Sequence, residues 1–383
     1  MNVCLVCYPT AGGSGVIATE LALSLVERGH TVHIVANDRP IRMGEQKDGL
    51  VFHEINVPSY DLFPDASYGM SGACALMDLL QQEDIDLIHA HYAFPHALSA
   101  YLALDMLDHP DIPIITTLHG SDIYLAEDHP CHFNIVQSSL KRSTRVTAVS
   151  NYLKDETHRI FGDEIEIDVI SNFVDTETFQ PRSLPERRAE ICSPDDCLLV
   201  HVSNYRPIKR SGDMAHLLRE MLEHGVRTHL LMIGDGPERE RVEATIGEFH
   251  MREHVTWVDP VEQVNEWIAL GDFLVVTSER ESFSMAALEA MACGLPVLNT
   301  AEGGVRELVR DGTDGYHVED RDLHELARRT ADLLEDPDRL GQMRKAVRER
   351  VTESFSQEYI VDQYIDLYRE AVEGETDPDS VSA

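Results

Sequence analysis

Short apolar runs alternate with helical patterns in two successive series, and this alternation limits the folds that the chain can adopt. The first series contains NVCLVCY, TVHIVAN, IDLIHAH, IPIITTLHG and RVTAVS. The second begins near residue 196 with CLLVHVSN and continues through THLLMIGDG, VTWVD, DFLVVTS and LPVLNT. Apolar strands separated by helices predict parallel sheets that are covered on both faces. Because 383 residues exceed the usual size of one core, two domains are expected.

The predicted fold class is therefore α/β, with two Rossmann-like parallel-sheet domains that face a central cleft. Residues 1–168 form the first domain and 169–355 the second, and the turn-rich segment 167–181 is the expected linker. A helix over about residues 356–372 follows the second sheet and is expected to pack back on the first domain. The acidic tail 373–383 is polar and is expected to be disordered.

Acidic residues strongly outnumber basic ones. The chain has 68 Asp and Glu against 32 Lys and Arg, which gives a formal net charge of −36. A surface this acidic repels itself unless salt screens it, so the composition favours a halophilic host. An acidic protein from an ordinary GC-rich genome is the alternative. Nucleic acid is not an expected partner, because phosphate binding needs a positive footprint.

The chain shows no membrane or secretion signal and no disulfide framework. No apolar run reaches the roughly 18 residues that span a bilayer, and the N-terminus opens directly into a strand pattern. We therefore expect a cytoplasmic protein with no membrane partner. The seven cysteines are an odd number without regular spacing, as in proteins with reduced thiols. Cys4 and Cys7 form a C-x-x-C within a predicted strand, which favours buried thiols over redox chemistry.

The strongest chemical signal is ERESFSMAALEAMACGLPV, in which a strand end, a short turn and a helix follow one another. Glu281 lies in the turn and Glu289 in the helix, which runs from about Ser284 to Cys293, so both carboxylates can reach one ligand. Free N–H groups at such strand and helix ends bind anions. Carboxylates accept hydrogen bonds from neighbouring hydroxyls, as a sugar or ribose offers. A solvated carboxylate pair is the alternative.

A compact basic cluster follows the first strand of the second series, in HVSNYRPIKRSGD. It holds Arg206, Lys209 and Arg210 in a chain that has only five lysines. Fixed cations stabilise a diphosphate that gains charge as its sugar departs. The cluster therefore favours pyrophosphate binding, with solvated surface cations as the alternative.

Glycines and histidines mark the strand ends of the first series. The glycine turn in PTAGGSGVIATEL lacks the G-x-G-x-x-G spacing of dinucleotide sites, which argues against a nicotinamide cofactor. The backbone amides of Gly13, Ser14 and Gly15 could hold a carboxylate or a phosphate oxygen, or the turn could serve packing alone. HAHYAFPHA contains His89, His91 and His96, and TTLHGSDIYL contains His119, but no carboxylate accompanies these histidines at ligand spacing. We expect no metal there and no cofactor, and His119 ends a strand at the expected cleft.

The spacing of Glu281 and Glu289 resembles the mark of the retaining glycosyltransferases of family 4, and the resemblance extends over nearly the full length. It implies the GT-B architecture, with Glu281 facing the donor-sugar hydroxyls and Glu289 holding the ribose hydroxyls. It also implies that the amides of Phe283, Ser284 and Met285 approach the donor sugar and diphosphate. Most relatives have glycine where this chain has Ser284, so that contact differs here.

The resemblance also assigns the basic loop and the turn after the next strand. Lys209 matches the family's lysine, whereas Asn204 occupies the usual place of its arginine, for which Arg206 substitutes. Gly234 in GDGPERER matches a glycine near the nucleotide. His119 is implied to lie near the donor sugar.

Further positions are expected on the acceptor side. Tyr92 and Thr117 match positions where relatives contact the acceptor, and packing alone is the alternative for each. Asn151 follows RVTAVS and is expected to line the cleft. Lys141 and Arg142 are candidate cations for an anionic acceptor, with a solvated helix end as their alternative.

Six phrases narrow the resemblance within the family: GGSGVIATEL, HAHYAFPHA, TTLHGSDI, VTAVSNYL, VISNFVD and HVSNYRPIKR. They are similar to members that transfer N-acetylglucosamine from UDP-N-acetylglucosamine (UDP-GlcNAc) to L-malate, at the start of bacillithiol synthesis. The resemblance implies these two substrates, an α-linked product and release of UDP without a metal ion. Three alternatives remain: a different acceptor, such as inositol phosphate or a glycan; a UDP-sugar 2-epimerase; and a non-catalytic module that binds a nucleotide sugar. A homodimer is possible.

We expect the melting temperature to rise with KCl concentration, because salt screens the repulsion within a chain of net charge −36. Thermal denaturation from low to multimolar KCl measures this. A melting temperature that does not depend on salt would remove the halophile interpretation.

Overall fold

The computed structural model describes residues 1–10, 13–44, 47–58, 67–109 and 111–374. It divides into two compact units. The first unit comprises Met1–Asn172 together with the chain from Glu358 onward, and the second unit comprises Phe173–Gln357. Of the predicted acidic tail, residues 375–383 lie outside the described part of the chain.

Short strands alternate with helices in both units. Within the described residues, the strands are β1 (Asn2–Val6), β2 (Thr31–Ala36), β3 (Leu50–Glu54), β4 (Leu87–His91), β5 (Ile114–Leu118), β6 (Arg145–Ala148), β7 (Ile167–Val169), β8 (Cys197–Val202), β9 (Thr228–Ile233), β10 (Val255–Val258), β11 (Phe273–Val276), β12 (Arg280–Glu281), β13 (Val297–Asn299), β14 (Glu302–Gly303) and β15 (Gly315–His317). The α-helices are α1 (Ser14–Glu27), α2 (Tyr68–Leu80), α3 (Leu98–Leu107), α4 (Ser121–Asp128), α5 (Pro130–Arg142), α6 (Asn151–Phe161), α7 (Pro185–Ala189), α8 (Asp213–Glu223), α9 (Arg239–Glu248), α10 (Val264–Ile268), α11 (Met285–Ala292), α12 (Val305–Leu308), α13 (Leu323–Leu334), α14 (Pro337–Ser354) and α15 (Gln357–Gly374). No described helix is both long enough and apolar enough to cross a membrane.

The first unit is built on a seven-stranded parallel sheet in the order β3-β2-β1-β4-β5-β6-β7. Every residue of β4 and β5 is buried, as expected for strands covered on both faces. The predicted strands are present, but the sequence did not reveal β3 or β7. The β3 segment LVFHE has an apolar run of only three residues, and all of its residues except Leu50 are half-buried or exposed. The three residues of β7 fall in the predicted linker, yet they pair with β6.

The second unit is built on a six-stranded parallel sheet in the order β10-β9-β8-β11-β13-β15. The five predicted strands form its centre and one edge, whereas β15 was not predicted because it has only three residues. A separate two-stranded ladder joins β12 to β14. In each sheet the strand order reverses next to the first strand, between β1 and β4 and between β8 and β11. Such reversal points are where open parallel sheets bind ligands.

The last helix, α15, lies against the first sheet. The hydroxyl group of Tyr368 and Nδ1 of His89 are 2.6 Å apart, and both side chains are fully buried. At the surface, Arg145 makes a 3.0 Å ion pair with Glu370. The helix that the sequence placed over about 356–372 therefore contributes buried contacts to the first unit.

The interior of the first unit holds several uncharged histidines. His89, His91 and His96 are fully buried, and the rings of His89 and His91 stack with centroids 4.4 Å apart. Burial lowers the pKa of His89 to about 3 and that of His96 to about 4, because the charged imidazolium loses its hydration. Burial likewise lowers the pKa of His91, and its neighbouring imidazoles lower it further.

We expect the free energy of unfolding to fall as the pH drops from 7 to 5. Below about pH 6.5 the histidines of the unfolded chain become protonated, whereas the buried imidazoles of the folded chain stay neutral. The free energy of unfolding therefore keeps falling until the pH reaches the lowered pKa values of the folded state. Each fully buried histidine then costs about 2 kcal/mol of stability at pH 5. Urea denaturation at the two pH values measures the difference. His89→Gln should reduce the difference in free energy of unfolding between the two pH values, whereas His109→Gln, at an exposed position, should not. An equal difference in both variants would contradict the role of the buried histidine.

Candidate active site

The loops that follow β8 and β11 are fastened to each other at the reversal point of the second sheet. The strands are parallel neighbours, with Leu199 opposite Phe273, so their carboxyl ends lie side by side. The Thr277 hydroxyl donates a hydrogen bond of 2.9 Å to the Lys209 carbonyl, and the Glu279 amide donates one of 2.7 Å to the Ile208 carbonyl. The basic loop is therefore held against the start of the predicted Glu281–Glu289 segment.

Lys209 and Glu281 meet at this junction. The Lys209 Nζ lies 2.6 Å from Glu281 Oε1, and the Ser278 hydroxyl donates to the same oxygen at 2.6 Å. The Lys209 side chain is 28% exposed and that of Glu281 is 12% exposed. An ammonium group has three donors, and the contact with Glu281 uses only one of them. The pair can therefore present a positive group and a carboxylate to one polar ligand.

Arg206 and Arg210 flank Lys209 and differ in their surroundings. Arg210 forms an ion pair of 2.9 Å with Asp213 at the start of α8. Arg206 is exposed, and its guanidinium contacts no hydrogen-bonding or charged partner in the part of the chain that the structure describes. Arg206 and Lys209 are thus the cations of this loop with donors to spare for an anion, and Arg210 is committed to a carboxylate.

The turn before α11 has an unusual backbone conformation at Ser284. Ser284 has φ 85°, a left-handed conformation that favours glycine, and its hydroxyl accepts a hydrogen bond of 3.4 Å from the Ala287 amide. Phe283 is buried and packs edge-on against Phe355, whereas Met285 is half-buried at the start of the helix. The serine thus caps α11 from a backbone conformation that is unusual for a residue with a side chain.

Glu289 lies on the second turn of α11 and is only 7% exposed. A carboxylate this buried is not a solvated surface group, because desolvation is costly unless a partner compensates for it. The burial of Glu289 therefore argues against the alternative that Glu281 and Glu289 are simply a solvated carboxylate pair.

Gly234 brings the loop after β9 against the loop after β8. Its φ is 120°, and a Cβ atom there would lie 1.9 Å from the Ser203 carbonyl oxygen. Its amide donates to the Val258 carbonyl at 2.9 Å, and the Glu238 amide donates to the Tyr205 carbonyl at 3.0 Å. Only glycine permits this approach. Gly234 therefore shapes the loop that carries Arg206.

In the first unit, the reversal point brings Ser14 and Tyr92 together. The two hydroxyl oxygens are 2.7 Å apart, although 78 positions separate them in the sequence. Gly13 has φ 63°, and a Cβ on Gly15 would lie 2.5 Å from the Tyr8 carbonyl oxygen, so the turn packs tightly. Tyr92 is half-buried, and burial raises its pKa to about 12, so it stays an uncharged hydroxyl. Gly12 of the same motif lies outside the described residues.

His119 joins this group through an imidazole pair. Its Nε2 lies 2.9 Å from His91 Nδ1, and its ring centroid lies 5.1 Å from that of Tyr92. Burial lowers the pKa of His119 to about 3, so both rings are neutral at neutral pH and one donates to the other. The sequence did not assign this role to His91, although alternate positions of one strand, as in HAH, place His89 and His91 on the same face.

Thr117 and Asn151, the other acceptor-side candidates, differ in their surroundings. The Thr117 carbonyl accepts a hydrogen bond of 2.9 Å from the Tyr92 amide. Thr117 is fully buried, with its hydroxyl 2.7 Å from both His89 Nε2 and the Thr147 hydroxyl. Asn151 is the exposed first residue of α6, next to the Ser150 cap. Their contact with an acceptor stays a prediction, and the burial of Thr117 favours a supporting position behind the surface.

The candidate acceptor cations are already paired with carboxylates. Lys141 Nζ lies 3.8 Å from Glu164, and the Arg142 guanidinium contacts Asp105. Both side chains lie on the exposed carboxyl end of α5. The solvated helix end, which the sequence left as the alternative, describes their surroundings better than an anion site.

Asp122 is a further polar residue that the sequence did not single out. Its side chain is buried, and Oδ2 accepts a hydrogen bond of 2.8 Å from the Ala93 amide. Burial raises its pKa to about 6. The contact fastens the backbone next to Tyr92, which has φ 94°. A short polar residue after His119 in HGSDIY was the available signal, but such residues are common at helix starts.

Two Rossmann-like parallel-sheet units, each with polar residues at the carboxyl ends of its reversal-point strands, define an α/β protein of the GT-B fold. The structure of Anabaena HepE in complex with UDP-glucose matches this fold with a TM-score of 0.81 at 17% identity, over 97% of this chain and all 100% of that one. The family model "Glycosyltransferase Family 4" matches residues 11–178, and "Glycosyl transferases group 1" matches residues 186–350.

Two curated relatives extend this likeness. The N-acetyl-alpha-D-glucosaminyl L-malate synthase of Bacillus anthracis is 35% identical over 369 residues, which is 96% of each chain. The D-inositol 3-phosphate glycosyltransferase 1 of Catenulispora acidiphila is 25% identical over 393 residues, covering 95% of this chain and 92% of that one. The chain therefore belongs to glycosyltransferase family 4.

Proposed function

We propose that the protein transfers N-acetylglucosamine from UDP-GlcNAc to the hydroxyl group of L-malate, with retention of anomeric configuration. The observation that carries the proposal is the contact between Lys209 and Glu281 at the reversal point of the second sheet. It joins a cation suited to a diphosphate with a carboxylate suited to sugar hydroxyls. The acceptor is inferred from the 35% identical relative, whose name states the same product.

The donor would be held by the second unit. Arg206 and Lys209 would neutralise the diphosphate, and the amides of Phe283, Ser284 and Met285 at the start of α11 would bind its oxygens. Glu289 would accept hydrogen bonds from the ribose hydroxyls and Glu281 from those of the sugar. HepE supports a uridine nucleotide sugar as the donor class, because its structure contains UDP-glucose.

The acceptor would be held by the first unit. The amides of Gly13 to Gly15 would bind a malate carboxylate, and the hydroxyls of Ser14 and Tyr92 would donate to its oxygens. These groups are neutral, so they can hold an anion in an acidic protein without a salt partner. His119, also neutral, would act by hydrogen bonding rather than as a charged acid.

The chemical step would need no side-chain nucleophile. Breaking the bond between the anomeric carbon and the phosphate oxygen leaves UDP with an added negative charge. Lys209 and Arg206 would stabilise that charge where it develops, without help from a metal ion. The departing phosphate oxygen lies on the face that the malate hydroxyl attacks, so it can accept the hydroxyl proton as the new bond forms.

We expect UDP release from UDP-GlcNAc only when L-malate is present, because the acceptor hydroxyl completes the reaction. Coupled detection of UDP in high KCl, with product mass and anomeric configuration by NMR, measures this. Inositol 3-phosphate in place of malate tests the acceptor of the Catenulispora acidiphila relative. If the enzyme used inositol 3-phosphate and not L-malate, inositol 3-phosphate would be the acceptor instead. If an epimer of the donor formed without any acceptor, the reaction would be epimerisation and not glycosyl transfer.

Lys209→Ala and Glu281→Ala should each lower kcat by about 10²-fold or more. The first removes the cation that would stabilise the charge on the departing diphosphate, and the second removes the carboxylate that would bind the sugar hydroxyls. Arg210→Ala and Glu279→Ala are matched controls. Arg210 is paired with Asp213, and the Glu279 side chain is 63% exposed. Steady-state kinetics with circular dichroism as a check on folding measures the contrast. Near-normal turnover of Lys209→Ala or Glu281→Ala would remove that residue from the mechanism.

A further inference from the structure

We propose that Glu220, His224 and His324 form a binding site for a transition-metal ion of the zinc type, on the second unit and separate from the candidate active site. One ligand atom from each residue lies within 4.8 Å of the others. Glu220 lies in the last turn of α8 and His224 directly follows that helix. The Lys209 loop precedes the opposite end of α8, so the two sites use different ends of the helix.

Helix geometry and core packing place the three residues together. Glu220 and His224 are four positions apart, which sets them on one face of α8. His324 is the second residue of α13. The two helices share the apolar core of the second unit, in which Leu217 and Leu326 are fully buried. The separation of the ligands is therefore set by the core and does not depend on flexible surface loops.

The contacts among the three side chains already resemble those of a coordination group. His324 Nδ1 lies 2.9 Å from Glu220 Oε2, and the rings of His224 and His324 have centroids 4.9 Å apart. Among the described residues, Nε2 of His224 is buried without a hydrogen-bond partner. A buried nitrogen without a partner is costly, and a bound cation at a neutral imidazole can offset part of that cost.

The donor set indicates the kind of ion. Two imidazoles and one carboxylate form the three-ligand set that holds Zn²⁺ with a water in the fourth position. Ca²⁺ and Mg²⁺ prefer oxygen ligands, so they fit this set less well. Arg219 lies 3.9 Å from the other Glu220 oxygen, Oε1, so Oε2 is the oxygen that faces His324.

The site is open to solvent, since the His324 side chain is 68% exposed. An ion there would exchange with the medium, and the net charge of −36 would raise the local concentration of cations. By joining α8 to α13, the ion would stabilise the folded second unit over the unfolded chain. The role inferred is structural and is independent of the proposed transfer reaction.

The test uses the full-length chain without an affinity tag, stripped of metal with a chelator. Isothermal titration with Zn²⁺ is expected to show one ion per chain at this site, and the melting temperature should rise with Zn²⁺. Co²⁺ should give the visible absorption of a tetrahedral nitrogen–oxygen site. His224→Ala and His324→Ala should each weaken Zn²⁺ binding at least tenfold, since even outer-shell changes cost about 10–100-fold.

Glu220→Gln should weaken binding as well, and Glu223→Gln is its matched control. Glu223 lies on the same helix with its side chain 63% exposed, and the substitution makes the same change of charge. His109→Ala controls for loss of a surface histidine. Absence of Zn²⁺ binding by the wild-type chain would overturn the proposal. So would unchanged binding in both His224→Ala and His324→Ala, with metal-free melting temperatures showing that the variants are folded.

Discussion

The pairing of β8 with β11 is the constraint on which the candidate active site of the second unit depends. It places side by side two loops that are far apart in sequence, so that Lys209 and Glu281 meet across 72 positions. Hydrogen bonds from the Thr277 hydroxyl and the Glu279 amide to carbonyls of the basic loop then fix that loop in place. The pairing of β1 with β4 has the same effect on Ser14 and Tyr92. Both clusters therefore follow from sheet order.

The cations of the basic loop are less fully paired with carboxylates than is expected in so acidic a protein. With a net charge of −36, most described arginines can find a carboxylate nearby, as Arg210 does. Arg206 has none among the described residues, and Lys209 shares its only carboxylate with Ser278. An anionic ligand in this loop would therefore meet Arg206 without displacing a carboxylate, and Lys209 could contact it with the donors that Glu281 does not use.

The polar groups at the reversal point of the first sheet differ in charge from those of the second. Its polar residues at the reversal point are hydroxyls, backbone amides and imidazoles that burial keeps neutral. Neutral donors can bind an anion without requiring a buried counter-charge, which would be costly to desolvate. The hydrogen bond between His91 and His119 orients their two imidazole rings, and the buried Asp122 accepts a hydrogen bond from the backbone next to Tyr92. In the second unit, by contrast, the candidate groups Lys209 and Glu281 are charged and partly exposed.

Much of this could be predicted from the sequence, because strand runs and glutamate spacing are local features. The apolar alternation was enough to predict two parallel sheets, and the spacing of Glu281 and Glu289 was enough to suggest the family. Strands with a weak local signal were missed: β7 has only three residues, and β3 has an apolar run of only three residues, of which Leu50 alone is buried. Both are recognisable only by their pairing with a neighbour.

Other features were decided by the tertiary structure alone. The sequence placed Arg206, Lys209 and Arg210 in one cluster, and packing decided that only Arg210 is committed to a helix carboxylate. Thr117 follows the family pattern, but its neighbours in the sheet bury it completely. The group of Glu220, His224 and His324 has no motif, since its ligands come from two helices about 100 residues apart. A sequence records residue types and local periods, whereas burial and pairing depend on which distant segments pack together.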